Sequence, residues 1–226
     1  MKTTVCGEEE LLQRAAEHIA GAVENKADCV LALSYDRTLS RLYAELVNLL
    51  KEKGTSLKNT SIFLVADFED MPVLAERINH ELIETTDADE SSFFKVNRDN
   101  FENYDSLIAQ KGGIDLAVLN LGYKGQFGFN EPATPYSSLT HRQKLTESST
   151  REFSPLKDGL PEYAYTMGVK TIVGAKDIVV VATGEDKSEA VFGMLYGRDD
   201  STVPAAFLQL PINVEVYADT CAASKL

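Results

Sequence analysis

The sequence predicts a three-layer α/β fold around a mostly parallel central sheet. Two observations carry that expectation. Short, continuous apolar runs at 29–33, 62–65, 114–121 and 178–182 have the length and composition of strands buried on both faces. Between them lie segments with apolar residues at helical spacing, so strand and helix alternate along the chain. The longest run ends in glycines Gly122, Gly125 and Gly128, which puts a flexible loop at the carboxyl edge of a buried strand, the place where open α/β sheets hold ligands.

Taken in order, Leu11, Leu12, Ala15, Ile19 and Val23 mark a first helix, and Cys29-Val30-Leu31-Ala32-Leu33 a strand. Leu42, Leu46, Leu49 and Leu50 continue as a helix that stops near Gly54. Residues 62–65 form a second strand; Leu74, Ile78, Leu82 and Ile83 a helix; residues 93–96 a third strand; and residues 101–110 a helix ending at Gly112. The polar stretch from Pro135 to Gly159 has weak periodicity and is expected to cover or border a site. A buried strand at 178–182 precedes a helix over 187–195, then a short helix over 205–210 and a segment, 212–217, that alternates like an edge strand.

The 226 residues are 44% hydrophobic, which suits one domain over 1–226 with a full core. The formal net charge of −13 repels phosphate backbones and anionic lipid, so neither nucleic acid nor membrane is an expected partner. Cys6, Cys29 and Cys221 form no C-x-x-C pair, which argues against disulfides and zinc and favours a reducing, cytoplasmic setting. No apolar run approaches the roughly 18 residues of a membrane span. The terminal Ser224-Lys225-Leu226 reads as a peroxisomal address only in a eukaryote, and otherwise as a chance ending. No cofactor motif or metal-ligand cluster stands out; the glycine spacing after the long strand does not fit a dinucleotide loop, which begins G-x-G. Neither a cofactor nor a metal is expected.

The segment after that strand, Gly122-Tyr123-Lys124-Gly125-Gln126-Phe127-Gly128 followed by Phe129-Asn130-Glu131-Pro132, resembles the glucosamine-6-phosphate deaminase and galactosamine-6-phosphate isomerase family. That family carries Leu-Gly, a turn, Asp-Gly-His, two small or apolar residues and Phe-Asn-Glu-Pro at this place. The resemblance extends over nearly the whole chain and implies a modified doubly wound fold, a sugar-phosphate ligand and a possible homo-oligomer. It also implies where the phosphate sits. Arg151, at the correct spacing before the Pro161 to Val169 stretch, and Lys187, after Ala182-Thr183-Gly184, match phosphate-binding cations. Ser34-Tyr35-Asp36-Arg37-Thr38 matches a phosphate loop. There Thr38 matches a contacting Thr, and Ser34 and Arg37 can donate, but no glycine survives and Asp36 brings a negative charge. An ordinary capped turn, with Asp36 or Ser34 as helix cap, is the competing reading of 34–38.

The family's isomerisation needs one group to open the sugar ring and another to move a proton between C2 and C1. Its C1/C2 base matches Ala66, with Asp67 one residue on; adjacent side chains of an extended segment point to opposite faces. Its ring-opening His matches Gln126, which cannot exchange a proton near neutral pH, and its loop Asp matches Lys124. Glu131 alone is kept, free to cap a loop or to pair with Lys124. With three of the four acid–base positions replaced, the expected function is binding of a sugar 6-phosphate with the family's catalysis lost or weak. The alternative is an active deaminase or isomerase with altered acid–base residues, drawn from Asp67, Glu131 and His141. Lys124 and Gln126 are then expected to contact the ligand. His18 and His80 fall on helix surfaces and carry no expected role.

Overall fold

The computed structural model describes residues 1–151, 153, 159–197 and 202–226. The chain runs β1 (Lys2–Cys6), α1 (Glu8–Asn25), β2 (Val30–Leu33), α2 (Arg37–Lys53), β3 (Ser61–Leu64), β4 (Ala66–Phe68), α3 (Val73–Ile78), β5 (Phe93–Phe94), α4 (Tyr104–Gln110), β6 (Leu116–Asn120), β7 (His141–Lys144), α5 (Glu147–Thr150), β8 (Tyr163–Thr166), α6 (Val169–Val173), β9 (Asp177–Ala182), α7 (Ser188–Tyr196) and β10 (Val214–Asp219). Among the described residues, seven strands make one sheet in the order β1-β10-β9-β6-β2-β3-β5, and every neighbouring pair is parallel. The α/β expectation holds. The apolar runs are buried on both faces because crossover helices cover the sheet on both sides. Right-handed crossovers put α1 and α2, which pack on each other, on one face, and the helices of the leftward steps on the other.

The helices begin and end where local chemistry permits. Asp36 caps α2 by accepting the Leu39 N–H at 2.8 Å, and Gly54 closes that helix with φ 68°. The helix expected over 74–83 starts as α3 and continues as a π-helical turn over Asn79–Ile83. The short helix expected at 205–210 is a 3₁₀ stretch, Pro204–Gln209. Tyr104 is fully buried, and its one hydroxyl proton is shared between Leu64 O at 3.0 Å and Phe94 O at 2.7 Å. Phe63 stacks on Phe94 with centroids 4.4 Å apart. Each such side chain contributes roughly 1.5–3 kcal/mol by leaving water. Among the described residues, no helix is long and apolar enough to cross a membrane.

Two features differ from the sequence reading. The segment expected as an edge strand is interior: β10 lies between β1 and β9, and β1 is the edge. Val5 of β1 is exposed and its strand is half polar, so nothing in Lys2-Thr3-Thr4-Val5-Cys6 signals a sheet. The second is a three-stranded sheet, β4-β8-β7, with antiparallel pairing. Its strands are short and come from the 66–72 loop, the polar stretch and residues beyond it, so no run was long enough to show a period. A bidentate pair pins it, Arg142 donating to Glu69 at 2.8 and 2.7 Å, with the Tyr165 hydroxyl on the same carboxylate at 2.6 Å.

The amino ends of β2 and β6 are joined through Asp115, whose carboxylate accepts the Val30 N–H at 2.8 Å, the Lys176 ammonium at 2.7 Å and the Lys26 ammonium. Burial pushes this carboxyl up, and Lys176, Lys26 and the Val30 N–H more than offset it, leaving the pKa below its ordinary value. A depressed carboxyl contributes stability above the unfolded value of about 3.9, lost as pH falls through the folded value. Asp115→Ala is expected to lower unfolding free energy by about 2 kcal/mol at neutral pH, with the deficit shrinking towards pH ~2; urea titrations at the two pH values check it.

Candidate active site

The chain steps to one side after β2 and to the other after β6, so the loops leaving these neighbouring strands part and open a crevice. A narrow cleft, partly open to solvent, lies there. Ser34 and Tyr35 enter from β2, Asn120 and Gly122 from β6, and Ala66 from β4. Leu74, Gln126, Gly128, Phe129, Ser148, Ser149 and Phe153 complete the lining.

The glycine loop packs too tightly for side chains at its bends. Gly128 has φ 55°, and a Cβ there would lie 2.6 Å from Thr166 Oγ1 and 3.0 Å from Val65 Cγ1. The Phe129 N–H donates to that same Thr166 Oγ1 at 3.1 Å. Asn130 is fully buried, and its amide donates to Phe127 O at 2.9 Å and Met167 O at 2.8 Å, fastening the loop to the end of β8. Phe129 packs against Phe68 and Phe153. In the Phe-Asn-Glu-Pro quartet, Phe129 and Asn130 are scaffold.

Glu131, 4% exposed, is the organising charge. Its Oε1 accepts Thr146 N at 3.2 Å, Thr146 Oγ1 at 3.0 Å and the Ser149 hydroxyl, while Oε2 accepts Gln126 Nε2 at 3.2 Å. The carboxylate therefore caps the 146–149 turn, one of the two roles open to it, and does not form the alternative pair with Lys124. Gln126, 3% exposed, also donates to Ser148 Oγ at 3.0 Å and accepts the Lys124 N–H at 2.9 Å. Lys124 contributes this backbone group, and its side chain is exposed.

Beside the cleft, Arg151 and Lys187 meet over one ring: the Arg151 guanidinium lies 4.2 Å and the Lys187 ammonium 4.1 Å from the Tyr123 centroid. The two matched cations are thus brought together. Burial lowers the Lys187 pKa to about 8, with Asp36 pulling it up and Arg151 pushing it further down. Asp36 is itself raised by burial, against the pull of the Leu39 N–H, Lys187 and Asn120. Its carboxylate serves the helix cap and the lysine. Thr38 Oγ1 pairs with Thr183 Oγ1 at 2.8 Å. Ser34, 3% exposed, has no hydrogen-bond partner for its hydroxyl among the described residues. Arg37, the first residue of α2, is exposed.

The remaining candidates lie off the cleft. Ala66 presents its methyl to it, whereas Asp67 turns the other way, and its carboxylate accepts the N–H groups of Phe68 at 2.9 Å, Leu74 at 3.1 Å and Ala75 at 2.9 Å. It anchors the start of α3. His141, in β7, is bound to Leu139 O at 2.8 Å and Gln143 Oε1 at 3.1 Å and is not among the lining residues.

Full-length comparisons now decide the family. A glucosamine-6-phosphate deaminase of Mycoplasma mycoides is 32% identical over 97% of this chain and 94% of its own length. One from Bacillus velezensis is 33% identical over 95% of each. The chain belongs to the glucosamine-6-phosphate deaminase family. A solved glucosamine-6-phosphate deaminase, described as monomeric, superposes with a TM-score of 0.94 at 31% identity over 99% of both chains. The 6-phosphogluconolactonase of Trypanosoma brucei shares the fold, with a TM-score of 0.76 at 19% identity. No protein-family model matches the chain. The two named curated relatives are bacterial and lend the peroxisomal reading of Ser224-Lys225-Leu226 no support. At this candidate site, Tyr123, Asn120, Ser148 and Ser149 carried no expected role in the sequence. Tyr123 lay inside the glycine loop already singled out, and the two serines lay in the polar stretch expected to border the site.

Asp67 gives a test of its structural placement. Burial pushes its carboxyl up to about 7, against the three N–H donors. Between about 3.9, the unfolded value, and about 7 the folded chain holds a proton the unfolded chain has released. Stability from this group is therefore full below that window and declines through it. Asp67→Ala is expected to cost about 2 kcal/mol at pH ~5 by stranding three donors, and to remove the decline; denaturant titrations across that range read both effects.

Proposed function

We propose that this chain binds a sugar 6-phosphate in the cleft and carries the family's deamination weakly or not at all. One observation supports this above others. Among the described residues that line the cleft, Tyr35 is the titratable one, and burial, followed by its hydrogen bond to Glu81 at 2.6 Å, pushes its hydroxyl up to about 12. A group so far from neutral pH is a poor proton shuttle. Where the family has its C1/C2 base stands the Ala66 methyl, and where it has its ring-opening imidazole stands the Gln126 amide.

The phosphate end is better provided. Arg151 offers a planar fork and Lys187 a point charge, both beside the cleft mouth, and the Ser34 hydroxyl is available as a donor. Thr38 and Arg37 flank the same loop. Together they counter the repulsion an acidic chain exerts on a phosphate dianion.

The second reading is an enzyme of altered acid–base set. Glu131 favours it most, being one hydrogen bond behind Gln126. Ammonia release from glucosamine 6-phosphate separates the two. The binding reading expects turnover at least about 10²-fold below an ordinary family member, the cost of losing one general acid or base; turnover equal to that member rejects it.

Binding itself is read by thermal shift with glucosamine 6-phosphate and galactosamine 6-phosphate, which should raise Tm. Arg151→Ala and Lys187→Ala should each weaken binding by about tenfold or more. Affinity should also fall as pH rises through about 8, where Lys187 loses its proton. Restoring Ala66→Asp, Lys124→Asp and Gln126→His together should raise turnover; continued inactivity places the block in the 34–38 loop.

A further inference from the structure

We infer that the cleft selects a hexose phosphate whose sugar bears an uncharged hydroxyl or acylamino group over the corresponding amino sugar phosphate. This rests on the sugar-phosphate reading above and names the ligand class. The lining has two characters. Ser34, Asn120, Gln126 and Ser149 give it neutral polar groups, and Ala66, Leu74, Phe129 and Phe153 give it apolar ones. Among the described lining residues there is no carboxylate.

Four of the described carboxylates around the cleft are engaged elsewhere. Glu131 is engaged by Gln126, Thr146 and Ser149. Asp67 is turned onto the start of α3. Glu81 stands behind the Tyr35 hydroxyl. Asp36 serves the α2 cap and Lys187. A protonated sugar amine brought against this surface exchanges water for dipoles and methyl groups, with no carboxylate among the described lining residues to offset its desolvation. A hydroxyl or acylamino group carries no such penalty, and an acyl methyl finds apolar contact on Ala66, Leu74 and Phe153.

Titration calorimetry at pH ~6, where an amine is protonated, decides it with glucose 6-phosphate, N-acetylglucosamine 6-phosphate, glucosamine 6-phosphate and inorganic phosphate. The better neutral sugar should bind at least about tenfold tighter than the amino sugar, equivalent to about 1.4 kcal/mol. Ala66→Asp, or Leu74→Asp should the first not fold, puts a carboxylate into the lining and should shrink that ratio by about tenfold. Glucosamine 6-phosphate binding within tenfold of the better neutral sugar overturns the inference and leaves the sugar-phosphate reading standing, as does a ratio unchanged in the aspartate variant. Failure of all three sugars to bind overturns the reading itself, and the inference with it.

Discussion

The Glu131 carboxylate has been taken out of water, and a buried charge tolerates that only when its oxygens are supplied with donors. Gln126 comes from the glycine loop, Thr146 and Ser149 from the neighbouring 146–149 turn, and all three converge on it. That convergence fixes the loop and the turn, both of which line the cleft, relative to each other. Asn130 and Gly128 then seat the loop against β8 and Val65, with no room for a side chain at the bend. The cleft is thus a by-product of satisfying one charge.

The other half of the site follows a different logic. Arg151 and Lys187 would repel each other across a short gap, and a buried lysine alone would shed its proton. The face of Tyr123 and the carboxylate of Asp36 relieve both problems. Asp36, which looks in the sequence like an obstacle to an anion, caps α2 and keeps the lysine charged.

Much of this was legible in the chain, and the exceptions have physical reasons. The buried parallel strands announced themselves because a strand covered on both faces is continuously apolar. The glycine loop was legible because close backbone approach leaves few alternatives to glycine. Lys187 and Arg151 were found by matching spacing, which says nothing of the ring between them. β1 was missed because its side chains are half polar, and the small antiparallel sheet because strands of three and four residues carry no readable period. The opposed directions of Ala66 and Asp67 needed only the two-residue repeat of an extended chain. That Glu131 would serve a turn rather than pair with Lys124 required knowing which segment faces it.

The sharing of one tyrosine by two cations has a thermodynamic corollary. Long basic side chains ordinarily surrender their rotamers when an anion arrives, at about 0.5–1.5 kcal/mol apiece. Here the ring of Tyr123 has already drawn the guanidinium and the ammonium to one spot, so that entropy is spent when the chain folds. On the proposed reading, an incoming dianion would meet two cations already gathered at one spot on an otherwise strongly acidic molecule.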